Sequence, residues 1–389
     1  MKMNCRHIML FIAITLCGHL LAQPYPIGHT TTAYIDPLRN NRQIPTEIYY
    51  PGQTEGENVP VAAGSFPVLS FGHGFVMTLD AYLDFSNNLV PQGYILVLPN
   101  TETSFSPSHA DLGLDLAFLI NMMRDNGNDP GSLFYGAVAG ESAVMGHSMG
   151  GGASFLAAAG DTGITAIANF AAAITTPSSV TAAASIEIPA LMFSGSADCV
   201  TPPSQHQQPM YDSLASDCKT LVSVTGGGHC YFADYNLLCT FGENSCSPNL
   251  TITREQQQDA TFDLLIPWLA FTLKGDAAAW EEFNDSLQSS KRITYQQDCQ
   301  LSGMIIHYGK ETGIIIYPVP CKDEMTIECD IIPDIIEIYD FSGRRLISES
   351  RPGKSSRINT SLLEPGIYLV KVSGPGGNQQ ILQAVKAAQ

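Results

Sequence analysis

The sequence predicts two domains, an α/β catalytic domain with a mostly parallel sheet and a small all-β domain after it. From residue 30 to about residue 224, apolar strand-like runs alternate with helical stretches, which is typical of a parallel sheet covered by helices. After Lys291, short β-rich runs are separated by proline and glycine turns. We therefore predict a catalytic domain at residues 23–302, a linker at 303–312 and a β-sandwich at 313–389.

The strands predicted in the first domain are short apolar runs bounded by turn residues. They cover residues 66–71, 94–98, 143–146, 166–170, 189–193 and 221–224. Residues 111–123 are predicted as a helix, because their leucines recur at helical spacing on one face. Residues 149–159, which are rich in alanine, and residues 259–273 are predicted as two further helices.

The N-terminus has the pattern of an export signal. A basic start is followed by an apolar run at residues 8–16 and by Ala22 before Gln23. This pattern predicts a signal peptide at residues 1–22, since the run is too short to cross a membrane. A lipoprotein signal acylated at Cys17 is the alternative, although Leu16 occupies a position where that modification requires a small residue.

The formal net charge of −18 excludes several classes of partner. Such a charge repels phosphate backbones and anionic headgroups, so we expect neither nucleic acid nor an acidic membrane surface as a partner. We expect a monomer without a transmembrane segment.

Eight cysteines remain after residue 22, an even number that favours disulfides in an oxidising compartment. No Cys or His spacing indicates a metal, and we expect no cofactor. Six of them fall between residues 199 and 299 and allow fifteen pairings. A local Cys239–Cys246 bridge is preferred, and a bridge from Cys199 to Cys218 or Cys230 is a further hypothesis.

The strongest chemical signal is the run at residues 146–151, GHSMGG, between a predicted strand and a predicted helix. Glycines flank Ser148 because side chains would clash in so tight a strand-to-helix turn, which leaves the hydroxyl exposed above the sheet. Ser148 is therefore predicted as a nucleophile. The alternative is a glycine-rich turn of purely structural use.

A serine nucleophile needs a base, and the base needs an acid, in the chain order Ser, Asp, His. Asp198 follows the strand at 189–193, whereas Asp161, Asp212 and Asp217 lack such a strand. His229 follows the strand at 221–224 and three glycines, which predict a flexible approach to Ser148. Asp198 and His229 are therefore the predicted acid and base.

Two other histidines lie in informative positions. His147 is fixed beside the nucleophile and is assigned a packing role. His73 belongs to residues 72–75, GHGF, which follow a predicted strand where an oxyanion-hole loop is expected. The backbone N–H groups of Phe75 and Met149 are the predicted oxyanion donors, and the ring of Phe75 is predicted to contact the acyl group. An ordinary glycine-rich exit from the strand is the alternative.

These motifs make residues 30–273 similar to the chlorophyllase, platelet-activating-factor acetylhydrolase and polyester hydrolase branch of the α/β-hydrolases. The matching segments are residues 50–51, 72–75, 146–151, 195–198 and 227–229. The resemblance implies an α/β-hydrolase fold with a mostly parallel, eight-stranded sheet flanked by helices. It also implies a Ser148, Asp198 and His229 triad, with Phe75 and Met149 as oxyanion donors.

The sequence departs from polyester hydrolases at one point. Such enzymes tend to carry a tryptophan on the loop where this chain has residues 171–176, AAAITT, and both tryptophans here lie after His229. The short connection between the strands ending at residue 170 and starting at 189 leaves no room for the helical cap of lidded relatives. We therefore expect no lid and an open site, which suits bulky or surface-bound esters.

The tail resembles the type A sorting domain of the type IX secretion system. The likeness is carried by residues 317–320, 335–344 and 363–372. It implies passage through the outer membrane by that machinery, followed by secretion or surface anchoring. A carbohydrate-binding or spacer β-sandwich is the alternative.

The predicted function is that of a secreted serine ester hydrolase acting on bulky, lipid or polymer esters through an acyl-enzyme. Two alternatives are a serine peptidase of the same fold and a non-catalytic surface binding protein.

Overall fold

The computed structural model describes residues 24–299, apart from 162 and 247–248, and residues 314–386, apart from 318, 320, 330, 341–343, 365 and 375–378. The predicted signal peptide and the predicted linker lie outside the described residues.

The first domain is built on one sheet of ten strands in the order β10-β9-β8-β7-β6-β4-β5-β2-β1-β3. Its strands are β1 (Ile27–Asp36), β2 (Arg42–Pro51), β3 (Gly56–Glu57), β4 (Phe66–Gly72), β5 (Ile95–Pro99), β6 (Val138–His147), β7 (Ala166–Phe170), β8 (Ala190–Gly195), β9 (Cys218–Val224) and β10 (Ile293–Cys299). The segment from β5 through β4, β6, β7 and β8 to β9 is parallel. The carboxyl ends of these strands therefore share one edge, where Ser148, Asp198 and His229 follow β6, β8 and β9.

The mostly parallel fold is confirmed, but the strand count of eight was wrong. The six strands predicted by residue correspond to β4–β9, so β1, β2, β3 and β10 were not located from the sequence. Of these, β10 pairs antiparallel with β9 at the edge of the sheet. Residues 294–298 of β10 are all exposed. A strand without a buried face has no alternation of apolar and polar residues, so its sequence carries no strand signal.

Helices cover both faces of the sheet. They are α1 (Leu83–Leu89), α2 (His109–Asn128), α3 (Met149–Gly160), α4 (Ser179–Ala183), α5 (Gln207–Ser213), α6 (Leu237–Ser245), α7 (Arg254–Lys274) and α8 (Ala277–Ser289). Alternate strand residues point to opposite faces. Val144 accordingly belongs to the buried cluster that includes residues of α2 and α3, and Met145 to the cluster that includes residues of α1, α7 and α8.

The connection between β7 and β8 is short, as predicted. Among the described residues of this connection, the only helix is α4, with five residues. No helix in the described part of the chain combines the length and the apolarity that a membrane crossing requires.

The second domain confirms the small all-β prediction. A three-stranded sheet has the order β11-β12-β15 and a four-stranded sheet the order β14-β13-β16-β17, all antiparallel. The strands are β11 (Ile314–Tyr317), β12 (Glu324–Cys329), β13 (Ile335–Tyr339), β14 (Arg345–Ser350), β15 (Ser355–Asn359), β16 (Gly366–Ser373) and β17 (Gln379–Lys386). A cluster of buried side chains drawn only from this region, including Ile316, Ile338 and Val370, forms its own core.

Candidate active site

Ser148 occupies a sharp turn between β6 and α3. Its φ and ψ angles are 53° and −115°, a conformation that non-glycine residues rarely adopt. A Cβ atom at Gly146 would overlap the backbone of Gly150, and one at Gly150 would overlap the backbone of Gly72. The glycines around the serine are thus required by close backbone approach, as the sequence predicted.

The structure brings the three predicted residues of the triad into one hydrogen-bonded series. Nε2 of His229 lies 2.9 Å from Oγ of Ser148, and Nδ1 of His229 lies 2.8 Å from Oδ2 of Asp198. All three residues are buried, with exposed fractions of 8%, 3% and 5% for Ser148, His229 and Asp198. Donation from Nδ1–H to the carboxylate leaves Nε2 free to accept the serine proton.

The carboxylate of Asp198 is oriented by residues just after it in the chain. The backbone N–H groups of Val200 and Thr201 both donate to Oδ1 at 2.8 Å. The hydroxyl of Thr201 lies 2.8 Å from Oδ2 and 3.0 Å from Nδ1 of His229. Sequence reasoning missed Thr201, although a hydroxyl three residues after an aspartate in a turn is a local signal.

The loop after β4 lies against the start of α3. The N–H of Gly150 donates to the carbonyl of His73 at 3.1 Å, which holds the Phe75 loop beside Met149, the first residue of α3. The N–H of Gly74 donates to the hydroxyl of Tyr82 at 2.7 Å. The ring of Phe75 is 45% exposed, so it is accessible to a ligand.

His147 is fully buried, consistent with its assigned packing role, but it also makes two hydrogen bonds. Its Nδ1 lies 3.0 Å from the hydroxyl of Tyr82, and its Nε2 lies 3.1 Å from the carbonyl oxygen of His229. Burial, reinforced by the nearby His229, holds the pKa of His147 well below its usual range. A neutral ring that carries its proton on Nε2 can donate to the carbonyl oxygen of His229 and accept from Tyr82 at Nδ1. Sequence reasoning missed both of these hydrogen bonds.

The three disulfides among the described residues differ from the pairings hypothesised from sequence. They join Cys199 to Cys246, Cys218 to Cys299 and Cys230 to Cys239. Cys239 and Cys246 cannot bond to each other, because seven residues of helix separate them by roughly 10 Å, beyond disulfide reach. The hypothesised bridges from Cys199 to Cys218 or Cys230 were also wrong.

The positions of Cys218 and Cys199 explain part of this result. Cys218 begins β9, whereas Cys199 follows the end of the parallel strand β8. The two cysteines therefore lie at opposite ends of the parallel strands. Cys218 instead faces Cys299 in the register of β9 and β10.

Comparison with known proteins gives two family matches. The model of the PET hydrolase-like family matches residues 44–243, slightly more than half of the chain. The model of the secretion system C-terminal sorting domain matches residues 315–385. The second match confirms the sorting domain, which directs export to the cell surface or the exterior.

A curated plant protein is also similar. Chlorophyllase-1 of Arabidopsis thaliana is 30% identical over 131 residues, which cover 34% of this chain and 39% of the plant protein. The chain thus spans well under half of the length of that relative. Together with the parallel sheet and the turn at Ser148, the first family match confirms the resemblance found in the sequence: the chain belongs to the PET hydrolase-like family of α/β-hydrolases.

Proposed function

We propose that this protein is a secreted serine hydrolase that cleaves carboxylic esters through an acyl-enzyme. The observation that supports this most strongly is the hydrogen-bonded series of Ser148, His229 and Asp198 at the carboxyl edge of the sheet. Membership of the PET hydrolase-like family and the partial similarity to a chlorophyllase support an ester as the substrate.

In the proposed reaction, Nε2 of His229 takes the proton of Ser148 while Oγ attacks the ester carbonyl carbon. The backbone N–H groups of Phe75 and Met149 stabilise the resulting oxyanion. Collapse of the tetrahedral intermediate breaks the bond to the alcohol oxygen, which receives the proton from Nε2. Nε2 of His229 then takes a proton from water while the water oxygen attacks the acyl carbon. Cleavage of the bond to Oγ returns this proton to Ser148, and the carboxylic acid leaves and loses its proton to solvent. Asp198 stabilises the imidazolium in both halves of the reaction.

The proposed substrate class rests on the surface around Ser148, which is itself only 8% exposed. The described segment between β7 and β8 contains only the five-residue helix α4, which is too short to form a helical cap over the site. Phe75 and Phe105 are 45% and 80% exposed, and their ring centroids are 6.2 Å apart in an edge-to-face arrangement. This pair offers apolar surface to an acyl group. We therefore propose esters with bulky, apolar acyl groups, among which lipid and polymer esters are candidates.

The test is hydrolysis of p-nitrophenyl butyrate by the full chain and by Ser148→Ala. Removal of the nucleophile is expected to lower kcat by about a thousandfold or more, with little change in the midpoint of thermal unfolding. Ser154→Ala is the matched control, because Ser154 is also buried and lies on α3. It is expected to keep its activity.

Three outcomes would contradict the proposal. Equal ester turnover by Ser148→Ala would refute the nucleophile. Faster turnover of peptide amides than of esters would indicate the peptidase. Failure of Ser148 in the folded wild type to react with a fluorophosphonate, together with no ester turnover, would indicate a surface binding protein.

A further inference from the structure

The loop that carries His229 is held by side chains along its backbone. Every N–H and C=O group of Gly228, His229 and Cys230 contacts a side chain from β6, α6 or α7. We propose that Glu243, His147 and Gln257 are positioning residues that fix the backbone of His229 so that its imidazole stays aligned with Ser148. This inference rests on the proposed function of the same site.

Glu243 holds the backbone N–H group of His229. Its Oε1 accepts hydrogen bonds from the N–H of His229 at 2.5 Å and from the N–H of Cys230 at 3.3 Å. The residue is only 2% exposed. A carboxylate is costly to bury unless it is hydrogen-bonded, so two backbone donors at one oxygen give Glu243 a defined position under the base.

The helix that carries Glu243, α6, is attached through Glu243 and through disulfides rather than through an apolar face. Glu243 is the only buried residue of α6, which therefore lacks the broad apolar face that normally anchors a helix. Two disulfides attach the helix region instead, one at Cys239 and one at Cys246. Their partners, Cys230 and Cys199, directly follow His229 and Asp198, so α6 is tied to both the base and the acid.

His147 holds the backbone carbonyl group of His229. Nε2–H of His147 donates to the carbonyl oxygen of His229 at 3.1 Å, and Tyr82 donates to Nδ1 of the same ring. Tyr82 in turn accepts the N–H of Gly74 in the proposed oxyanion loop. The base is thereby connected to the residue beside the nucleophile and to the Phe75 loop through buried hydrogen bonds.

Gln257 of α7 holds the residue before the base. Its Oε1 accepts from the N–H of Gly228 at 2.8 Å, and its Nε2 donates to the carbonyl of Gly228 at 2.9 Å. A Cβ at Gly227 would overlap Gln257, and a Cβ at Gly228 would overlap Glu243. The glycines before His229 thus allow side chains to approach the backbone, and their interpretation as a flexible approach is corrected.

Residues 228–230 lie beyond the end of β9 and belong to no strand, so these side-chain contacts take the place of strand pairing in fixing their backbone. Catalysis by a base requires alignment to within fractions of an ångström, and a misplacement of about 1 Å costs on the order of a hundredfold in rate. Side chains from three separate elements prevent such a displacement in different directions. Loss of one contact is therefore expected to lower kcat while substrate binding is retained.

The experiment compares removal with conservative replacement at two positions in the full chain. Glu243→Leu removes the acceptor and is expected to lower kcat by about 10- to 100-fold, with KM within about twofold. Glu243→Gln retains an oxygen acceptor and is expected to recover most of kcat. His147→Leu and His147→Gln form the second pair, since a glutamine amide can still donate to the carbonyl of His229. Ser245→Ala on α6 is the control and is expected to match the wild type.

The readouts separate this inference from the proposed function. Ester turnover and fluorophosphonate labelling of the wild type test the function, and their absence would refute that function. With an active wild type, unchanged kcat in folded Glu243→Leu and His147→Leu would overturn the positioning role. Equal losses in the Leu and Gln variants would overturn it as well. Should a Leu variant fail to fold, Gln257→Ala takes its place as the removal variant, because it deletes both hydrogen bonds to Gly228. A lower kcat with a shifted low-field proton resonance of the His229–Asp198 hydrogen bond supports the role, and an unchanged kcat in that folded variant would refute it.

Discussion

Asp84, in the first turn of α1, is a carboxyl group that is more easily protonated in the folded protein than in water. Burial and repulsion from Asp234 and Asp259 raise its pKa to about 6. The unfolded chain has a pKa near 3.9 for this group. The folded state therefore binds the proton more tightly, and this group makes the protein more stable as the pH falls from above 6 toward 4.

Asp84→Asn removes this titration. The gain in stability of the variant over the wild type is expected to be larger at pH 8 than at pH 4. At pH 8 the wild type carries the unfavourable charge of Asp84, whereas the variant does not. Thermal unfolding of both proteins at the two pH values measures the difference in melting temperature. An identical difference at pH 4 and pH 8 would show that Asp84 does not titrate as described.

At the residue scale, the sequence predicted the side chains that follow recognisable strand ends. Ser148, Asp198 and His229 each come directly after or shortly after an apolar run, and parallel strands bring such positions to one edge. Thr201 and Glu243 could not be found in this way. Their hydrogen bonds with Asp198 and with the backbone of His229 form only on folding, and Glu243 lies on a helix whose other residues are not buried.

At the scale of elements, α6 is attached to the site by disulfides. Replacement of Cys230 and Cys239 by serine is expected to lower kcat by roughly tenfold, because α6 can then carry Glu243 away from His229. Replacement of Cys218 and Cys299 is the matched control, since that bridge joins β9 to β10 at the start of β9. The control should lose thermal stability but keep its kcat.

The measurements are ester kinetics and thermal unfolding of both double variants. Equal kcat values for the two variants would contradict a specific role of the α6 bridges. Cys199 and Cys230 directly follow the predicted acid and base, so the sequence itself places these two cysteines beside the site. It could not give the pairing, because the pairing depends on where α6 folds back in space.

The core parallel strands were predictable because they are buried on both faces and therefore read as short continuous apolar runs. The long helix α2 was predictable because its buried residues recur with period 3.6. The predicted strand at residues 166–170 coincides with β7, and the predicted helix at 149–159 lies within α3. The edge strand β10 and the short helix α6 were not predicted. Both have mostly exposed residues, so neither leaves a periodic apolar pattern in the sequence.

At the scale of the whole molecule, the two domains have separate cores. The buried cluster of the second domain contains no residue from before Ile314. We therefore predict that a chain of residues 23–302 folds and hydrolyses p-nitrophenyl butyrate with a kcat within about twofold of the full mature chain. Circular dichroism and ester kinetics of the shortened chain test this. A shortened chain that is unfolded, or folded but inactive, would contradict the proposed boundary.

The polar edge strand β10 has a consequence for the association of neighbouring copies of the protein. An unpaired strand edge is a template for joining sheets of neighbouring molecules. Residues 294–298 present Thr, Tyr, Gln, Gln and Asp side chains to solvent, and the disulfide at Cys299 fastens this strand to β9. This edge of the sheet therefore ends in a strand with exposed polar side chains, which oppose edge-to-edge pairing of sheets from neighbouring copies.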